Sequence, residues 1–403
     1  MSLDAVIAMK KQIRQYAREY PAGSMHSLAE WVIEQSKVIQ QIPAPTFEEQ
    51  ARAAYVQQQF EQIGLADVRA DALHNIYGRL PGANPALPGI LIMAHTDTVF
   101  PLQTDLTLRT ENNKIKGPGL GDNSIGVGGI LGLAHYLQTH AITPACPLWF
   151  VATSREEGLG NLDGARQAFD TLRDQIAAVI NVEGLAYGYI YHAGIAVRRL
   201  HITTHAQGGH SWLHFGQPSA VHAIMALGAA ITQLDVPATP RTTYNIGMIE
   251  GGHSINSIAT EAGLWLDLRS ESPNALAALE AQVRDAIQRV MPPDVSLQVE
   301  VVGERPAGHL APDHPLIVGA LAALSETGTE GALQIGSTDG NIPLSHGCPT
   351  VTLGITRGGH AHRLDEFIEI GPTSRGLRQL LLVTLAAADY QAKLVIEPYG
   401  KGK

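Results

Sequence analysis

The stretch GILIMAHTD, residues 89–97, decides the fold. Its apolar run is short and almost uninterrupted, as expected of a central strand covered on both faces. It ends on a histidine, His95, with Asp97 two positions on. CPLWFVATS (146–154) and IAAVINVEG (176–184) have the same character, and the second also ends on an acid, Glu183. NSIGVGGILGLAHYLQ (123–138) and LDGARQAFDTLRDQ (162–175) lie between them with helical texture. Alternating strand and helix predicts an α/β domain with a mostly parallel sheet and helices on both faces.

On the N-terminal side the first 70 residues read as helical. Leu28, Trp31, Val32, Val38 and Ile39 fall close to one helical face. PTFEEQARAAYVQQQFEQIGL (45–65) reads as a packing helix opened by Pro45-Thr46 and closed by Gly64. On the C-terminal side the texture changes near residue 195. VRRLHITTHAQGG (197–209) alternates, and the following elements run β-α-β-β-α-β up to SLQVEVVGE (296–304). That order predicts an inserted α+β, ferredoxin-like unit with its helices on one face of an antiparallel sheet. After Pro306 the α/β texture returns, closing on a helix from about Ser374 to Lys393. The expected domains are therefore 1–194 and 306–403 for one catalytic domain, with 195–305 as an inserted lid.

A chain of 403 residues with 45% hydrophobic content suits two domains. A net charge of −10 argues against nucleic acid or an anionic membrane surface as partner. Cys146 and Cys348 sit in apolar surroundings and read as buried packing residues. The first residues lack a signal-peptide core and no later run reaches transmembrane length, so a cytoplasmic protein is expected.

Ligands gather at the carboxyl ends of strands in such sheets. Here those ends deliver His95, Asp97, Asp122, Glu156, Glu157 and Glu183. Asp122 by itself could be a helix N-cap, and Glu156 and Glu157 solvated loop charges. So many like charges at one sheet edge would repel, and divalent metal is one remedy. Two ions would take about three protein ligands each, with one carboxylate shared. Competing motifs are missing: there is no Gly-x-Ser-x-Gly, His-Glu-x-x-His or Walker loop, and GLGDNSIGVGG (119–129) has the wrong glycine spacing for a nucleotide.

AHTDTV (94–99), GLGDN (119–123), SREEGLG (154–160), NVEG (181–184), QGGHS (207–211), GSTDG (336–340) and HRLDE (362–366) occur in family order. With them the chain resembles the dinuclear zinc exopeptidases and amidohydrolases: the aminoacylase, carboxypeptidase G and succinyl-diaminopimelate desuccinylase relatives, peptidase T among them. The resemblance covers roughly residues 40–395, and the first 25 look like an added helix.

It implies that His95, Asp122 and Glu183 hold one metal, and that Asp122, Glu157 and His362 hold the second. It also implies a cis peptide at Asp122-Asn123, and an Asp97 that hydrogen-bonds the far nitrogen of His95. Glu156 matches the family's general base for water activated between two metals, zinc first, with cobalt or manganese also suited. His210 matches a histidine that reaches the partner subunit's site in dimeric relatives and binds the oxyanion, implying a homodimer through the inserted domain. Asn256, Arg269 and Thr338 match or lie beside positions that hold substrate. His362 has the family's glutamate four residues on, at Glu366; His360 does not. Glutamate at 183 favours an N-acyl amino acid or C-terminal peptide as substrate. The alternatives are a di- or tripeptide aminopeptidase, and a non-catalytic binding relative.

Overall fold

The computed structural model describes Leu3–Ile396. These residues divide into two compact units: one up to Gly194 and again from Gly308, the other Ile195–Ala307.

All seven residues of the strand Gly89–His95 are buried. Ile90, Ile92 and Ala94 share a core with the helices Ile125–Thr139 and Thr373–Ile396, while Leu91 and Met93 share another with Asp163–Leu172. Each face of the strand has its own cover, which is why polar alternation is missing from its sequence.

The strand lies between Leu148–Thr153 and Ile176–Val182, parallel to both. Thr350–Leu353 extends this parallel core. Antiparallel pairings toward its margins make the nine-stranded sheet mixed. One margin is a hairpin, Ala66–Ala70 with Ile76–Leu80. Its turn is built on Asp71, whose carboxylate accepts the backbone N–H groups of Leu73 and Asn75 and the Tyr77 hydroxyl. A hairpin needs only a tight turn, whereas a parallel neighbour would need a crossover.

Two local readings are corrected. The helix expected from Pro45 begins at Gln50, since Pro45–Glu49 is drawn into a turn against the loop after His95. Val38 points outward from the helix His26–Gln40, whose buried stripe runs through Leu28, Val32 and Ile39. The helix Leu3–Glu19, which looked like an addition, is tied into the unit by Arg378. That buried guanidinium donates to the carbonyls of Ala17, Tyr20 and Glu326, at or beside the ends of two helices.

The second unit has a four-stranded antiparallel sheet in the order Thr242–Gly251, Glu261–Ser270, Ala196–His205, Ser296–Arg305. Leu200, Ile202, Leu264, Leu266 and Leu268 meet the helices Ala220–Ile231 and Pro273–Val290 in one core. This is the ferredoxin-like arrangement expected of the β-α-β-β-α-β order. Among the described residues no helix is long and apolar enough to cross a membrane.

Candidate metal centre

His95 is the last residue of its strand, and its Nδ1 lies 3.1 Å from the Asp97 carbonyl oxygen. With Nδ1–H donating there, the Nε2 lone pair faces Asp122 Oδ1 at 3.1 Å and Glu183 Oε2 at 3.6 Å. The sequence suggested that Asp97 orients this ring. It does so chiefly through its carbonyl, since the carboxylate stands farther from Nδ1, at 3.6 Å. That carboxylate is committed elsewhere: it accepts the backbone N–H of Glu156 and of Glu157, each at 2.9 Å, and the Thr46 hydroxyl at 2.8 Å. Asp97 therefore couples the turn carrying both glutamates to the strand carrying His95. Burial disfavours its charge, but the electrostatic pull of His95 and the hydrogen bonds from these amides outweigh it and hold the carboxyl below its usual range.

Asp122 lies on a tight loop whose amides converge on one side chain. The buried Glu366 carboxylate accepts N–H groups from Gly119 (3.2 Å), Gly121 (2.5 Å) and Asp122 (2.9 Å). A Cβ at Gly121 would lie 2.5 Å from Leu185 Cδ2 and 2.9 Å from Glu366 Oε1, so a side chain there would crowd the carboxylate that holds the loop. The Asp122-Asn123 peptide is cis, as the resemblance implied. The Asn123 side chain then straddles Glu183: Oδ1 accepts from Gly184 N and Nδ2 donates to Val182 O, both at 2.8 Å. Asn181 Nδ2 donates to Glu183 Oε1 at 3.1 Å, leaving Oε2 turned to His95.

His362 comes from the loop between two short strands, Gly358–Gly359 and Phe367–Glu369. Its Nε2 is 3.2 Å from Asp122 Oδ2 and 3.0 Å from Glu157 Oε1. Hydrogen bonds to Asp122 and Glu157 push its pKa up to about 10. The site thus draws positive charge strongly. His360, two residues earlier, turns to Asp365 Oδ2 at 2.8 Å.

The donors form two trios, His95-Asp122-Glu183 and Asp122-Glu157-His362, each with its ligand atoms within 4.8 Å of one another. Ligands about 2.0–2.2 Å from one tetrahedral ion stand about 3.4 Å apart, so the separations above fit a cation in each trio. Asp122 offers one oxygen to each, as a bridging carboxylate must. A third trio, His95-Glu156-Glu157, also converges, so Glu156 lies beside the same cluster. All-nitrogen-and-oxygen donors suit zinc, cobalt or manganese.

Known proteins resemble this chain over most of its length. Residues 91–384 match the model of peptidase family M20/M25/M40. The chain belongs to that family. Among curated relatives it is similar to the acetylornithine deacetylase of Photorhabdus laumondii, 27% identical over 75% of this chain and 80% of that protein. The aminopeptidase PepT of Bacillus cereus shares the fold, with a TM-score of 0.71 and 21% identity over 89% of this chain and 99% of that one. So does YXEP of Bacillus subtilis, described as a dinuclear metal binding peptidase from M20 family, with a TM-score of 0.66 and 14% identity over 90% and 99%. The chain is a metal-dependent hydrolase of amide bonds.

The remaining residues singled out in this M20/M25/M40 chain make local contacts within their own units. His210, Asn256 and Arg269 belong to the second unit. His210 is exposed, and its Nδ1 accepts N–H groups from Trp212 (3.1 Å) and Leu213 (3.4 Å). Asn256 Oδ1 accepts the Ser254 hydroxyl at 2.6 Å, and Arg269 Nε pairs with Asp267 at 2.6 Å. Thr338 caps its own turn, its hydroxyl accepting from Gly340 N at 3.2 Å.

Sequence reading missed the supports beneath the ligands. Buried Arg52 donates to Thr96 O at 2.7 Å and twice to Ile42 O, pinning the peptide between His95 and Asp97. Buried Glu49 accepts from Phe47 N and Arg155 N. Neither stands beside a ligand in sequence. Asn123 and Glu366 do, and the sequence marked them for the cis peptide and for the spacing from His362, though not for these hydrogen bonds.

Proposed function

We propose that this chain hydrolyses the amide bond of N-acyl amino acids or of short peptides with a free carboxyl end, with Glu156 as general base. The observation that carries the reading is Asp97, whose one carboxylate fixes the backbone of both Glu156 and the ligand Glu157 at 2.9 Å. A base locked in register with the ligands is what water activation requires. His95, Asp122, Glu157, Glu183 and His362 would hold two divalent ions, zinc first, which would lower the pKa of bound water and polarise the scissile carbonyl. Glu156 then removes the water proton and passes it to the departing amine, so its charge returns at the end of each turnover.

His210 is the proposed donor to the developing oxyanion. Its Nδ1 already accepts two backbone N–H groups, so in the neutral ring the proton sits on Nε2, which is the tautomer such a donor needs. We assign this donor to a partner subunit's site, which makes the active form a homodimer built on the inserted domain. Arg269, with Asn256 and Thr338, is the proposed grip on substrate. A guanidinium braced by Asp267 at 2.6 Å suits a carboxylate. Glu183 and the likeness to acetylornithine deacetylase support the deacylase type.

The test is hydrolysis of N-acyl amino acids, dipeptides and tripeptides with zinc, cobalt or manganese. Glu156→Gln is expected to keep its metal and lose at least about 100-fold in kcat. Mixing it with His210→Asn is expected to restore part of the activity, because a mixed dimer holds one complete site. Near-normal kcat in Glu156→Gln would overturn the base assignment. Absence of complementation would overturn the shared site, and a requirement for a free substrate amine would overturn the deacylase type.

A further inference from the structure

Beside Glu157 lies an open cavity of about 480 Å³ within the first unit. Its walls include Phe47, Val99, Leu102 and Leu159, each 38–52% exposed. Exposed large apolar side chains scatter singly on most surfaces, so four gathered around one hollow mark it as a binding surface. Two of the walls continue straight from the candidate metal centre. Val99 follows Asp97 by two residues, and Leu159 follows Glu157 by two.

Phe47 is the least expected member. Its φ is +79°, a region that bulky side chains rarely adopt and that persists where the surroundings impose it. The imposing groups are present: the Phe47 N–H donates to Glu49 Oε1 at 3.0 Å, and the Arg155 guanidinium lies 5.1 Å from the ring centroid. The same Glu49 oxygen accepts from Arg155 N at 3.1 Å. One buried carboxylate thus fixes the aromatic wall to the turn that carries Glu156 and Glu157.

We propose that this hollow receives an apolar substituent flanking the scissile amide, making Phe47, Leu102 and Leu159 specificity-determining residues. The inference rests on the amide-hydrolase reading above and narrows its substrate class to apolar acyl groups or side chains. None of the lining residues is cationic, and the nearby Arg155 guanidinium packs against the Phe47 ring. Glu48 is its only carboxylate besides the ligand Glu157, and it is exposed at the rim.

The experiment measures kcat/KM for amide substrates in which the group on either side of the bond is glycine, leucine, phenylalanine, lysine or glutamate. The wild-type enzyme is expected to favour leucine or phenylalanine over glycine on one side by at least about tenfold. Leu102→Asp and, independently, Leu159→Asp are expected to cut that ratio about tenfold, mainly through KM, and to raise the lysine substrate relative to leucine. Val38→Asp, an equally exposed apolar site that does not line the hollow, is expected to leave the ratio unchanged. The proposal is overturned if the wild type favours glycine or a charged group, or if neither aspartate variant changes the ratio. If no amide in the panel is cleaved, or Glu156→Gln is fully active, the underlying reading fails instead.

Discussion

His360 and His362 are two positions apart, yet different charges capture them. His360 meets Asp365, an exposed partner on its own loop, whereas His362 meets Asp122 and Glu157 from two other loops. Replacing His362 with alanine removes one of three donors from the second trio, and His360→Ala removes none. We expect elemental analysis of His362→Ala to find one bound ion per chain instead of two, and His360→Ala to keep both. At this scale the side chains that orient ligands are as telling as the ligands. Asp97, Asn123, Asn181 and Glu366 each spend their hydrogen bonds on holding a ligand or its peptide in place. Such partners set ring tautomer and carboxylate direction, which a bare ligand cannot do for itself.

At the scale of elements, Pro45–Glu49 and Arg378 show how segments far apart in sequence are bound together. The turn at Pro45–Glu49 lies where helical periodicity was expected to continue. Bonds from Thr46 to Asp97 and from Arg155 N to Glu49 supply its partners, and the helix starts only at Gln50. Arg378 performs the same service for the N-terminal helix, donating to carbonyls that a helix end leaves without an internal partner. Arg378→Met keeps much of the bulk and leaves those carbonyls unsatisfied. We expect a loss of about 2–4 kcal/mol in urea unfolding, with substrate selectivity unaltered. A loss below about 0.5 kcal/mol would mean that water replaces the guanidinium without penalty.

For the whole molecule, the acidic cluster is a source of instability until cations neutralise it. Ions that bind the folded chain alone stabilise it by about 2.7 kcal/mol for each site at 100 times its Kd. Chelation is therefore expected to lower the calorimetric Tm, and zinc, cobalt or manganese to restore it in the order of their affinities. The same titration in Asp122→Asn is expected to show a much smaller shift, because the bridging charge is shared by both trios. An unchanged Tm on chelation in the wild type would argue against resident metal.

The sequence by itself determined the parallel core, the α+β insertion and the cluster of acids and histidine at the strand ends. Apolar runs and alternating stretches report local burial, and a strand that ends on a ligand carries that ligand to the sheet edge. Only the tertiary structure decided that Asp97 turns its carboxylate to Glu156 and Glu157 and its carbonyl to His95. It alone gathered Phe47, Val99, Leu102 and Leu159 around one hollow, and set Arg52 beneath the His95–Asp97 loop. Those arrangements depend on hydrogen bonds and contacts between loops tens to hundreds of residues apart. Periodicity along the chain has no means of registering them.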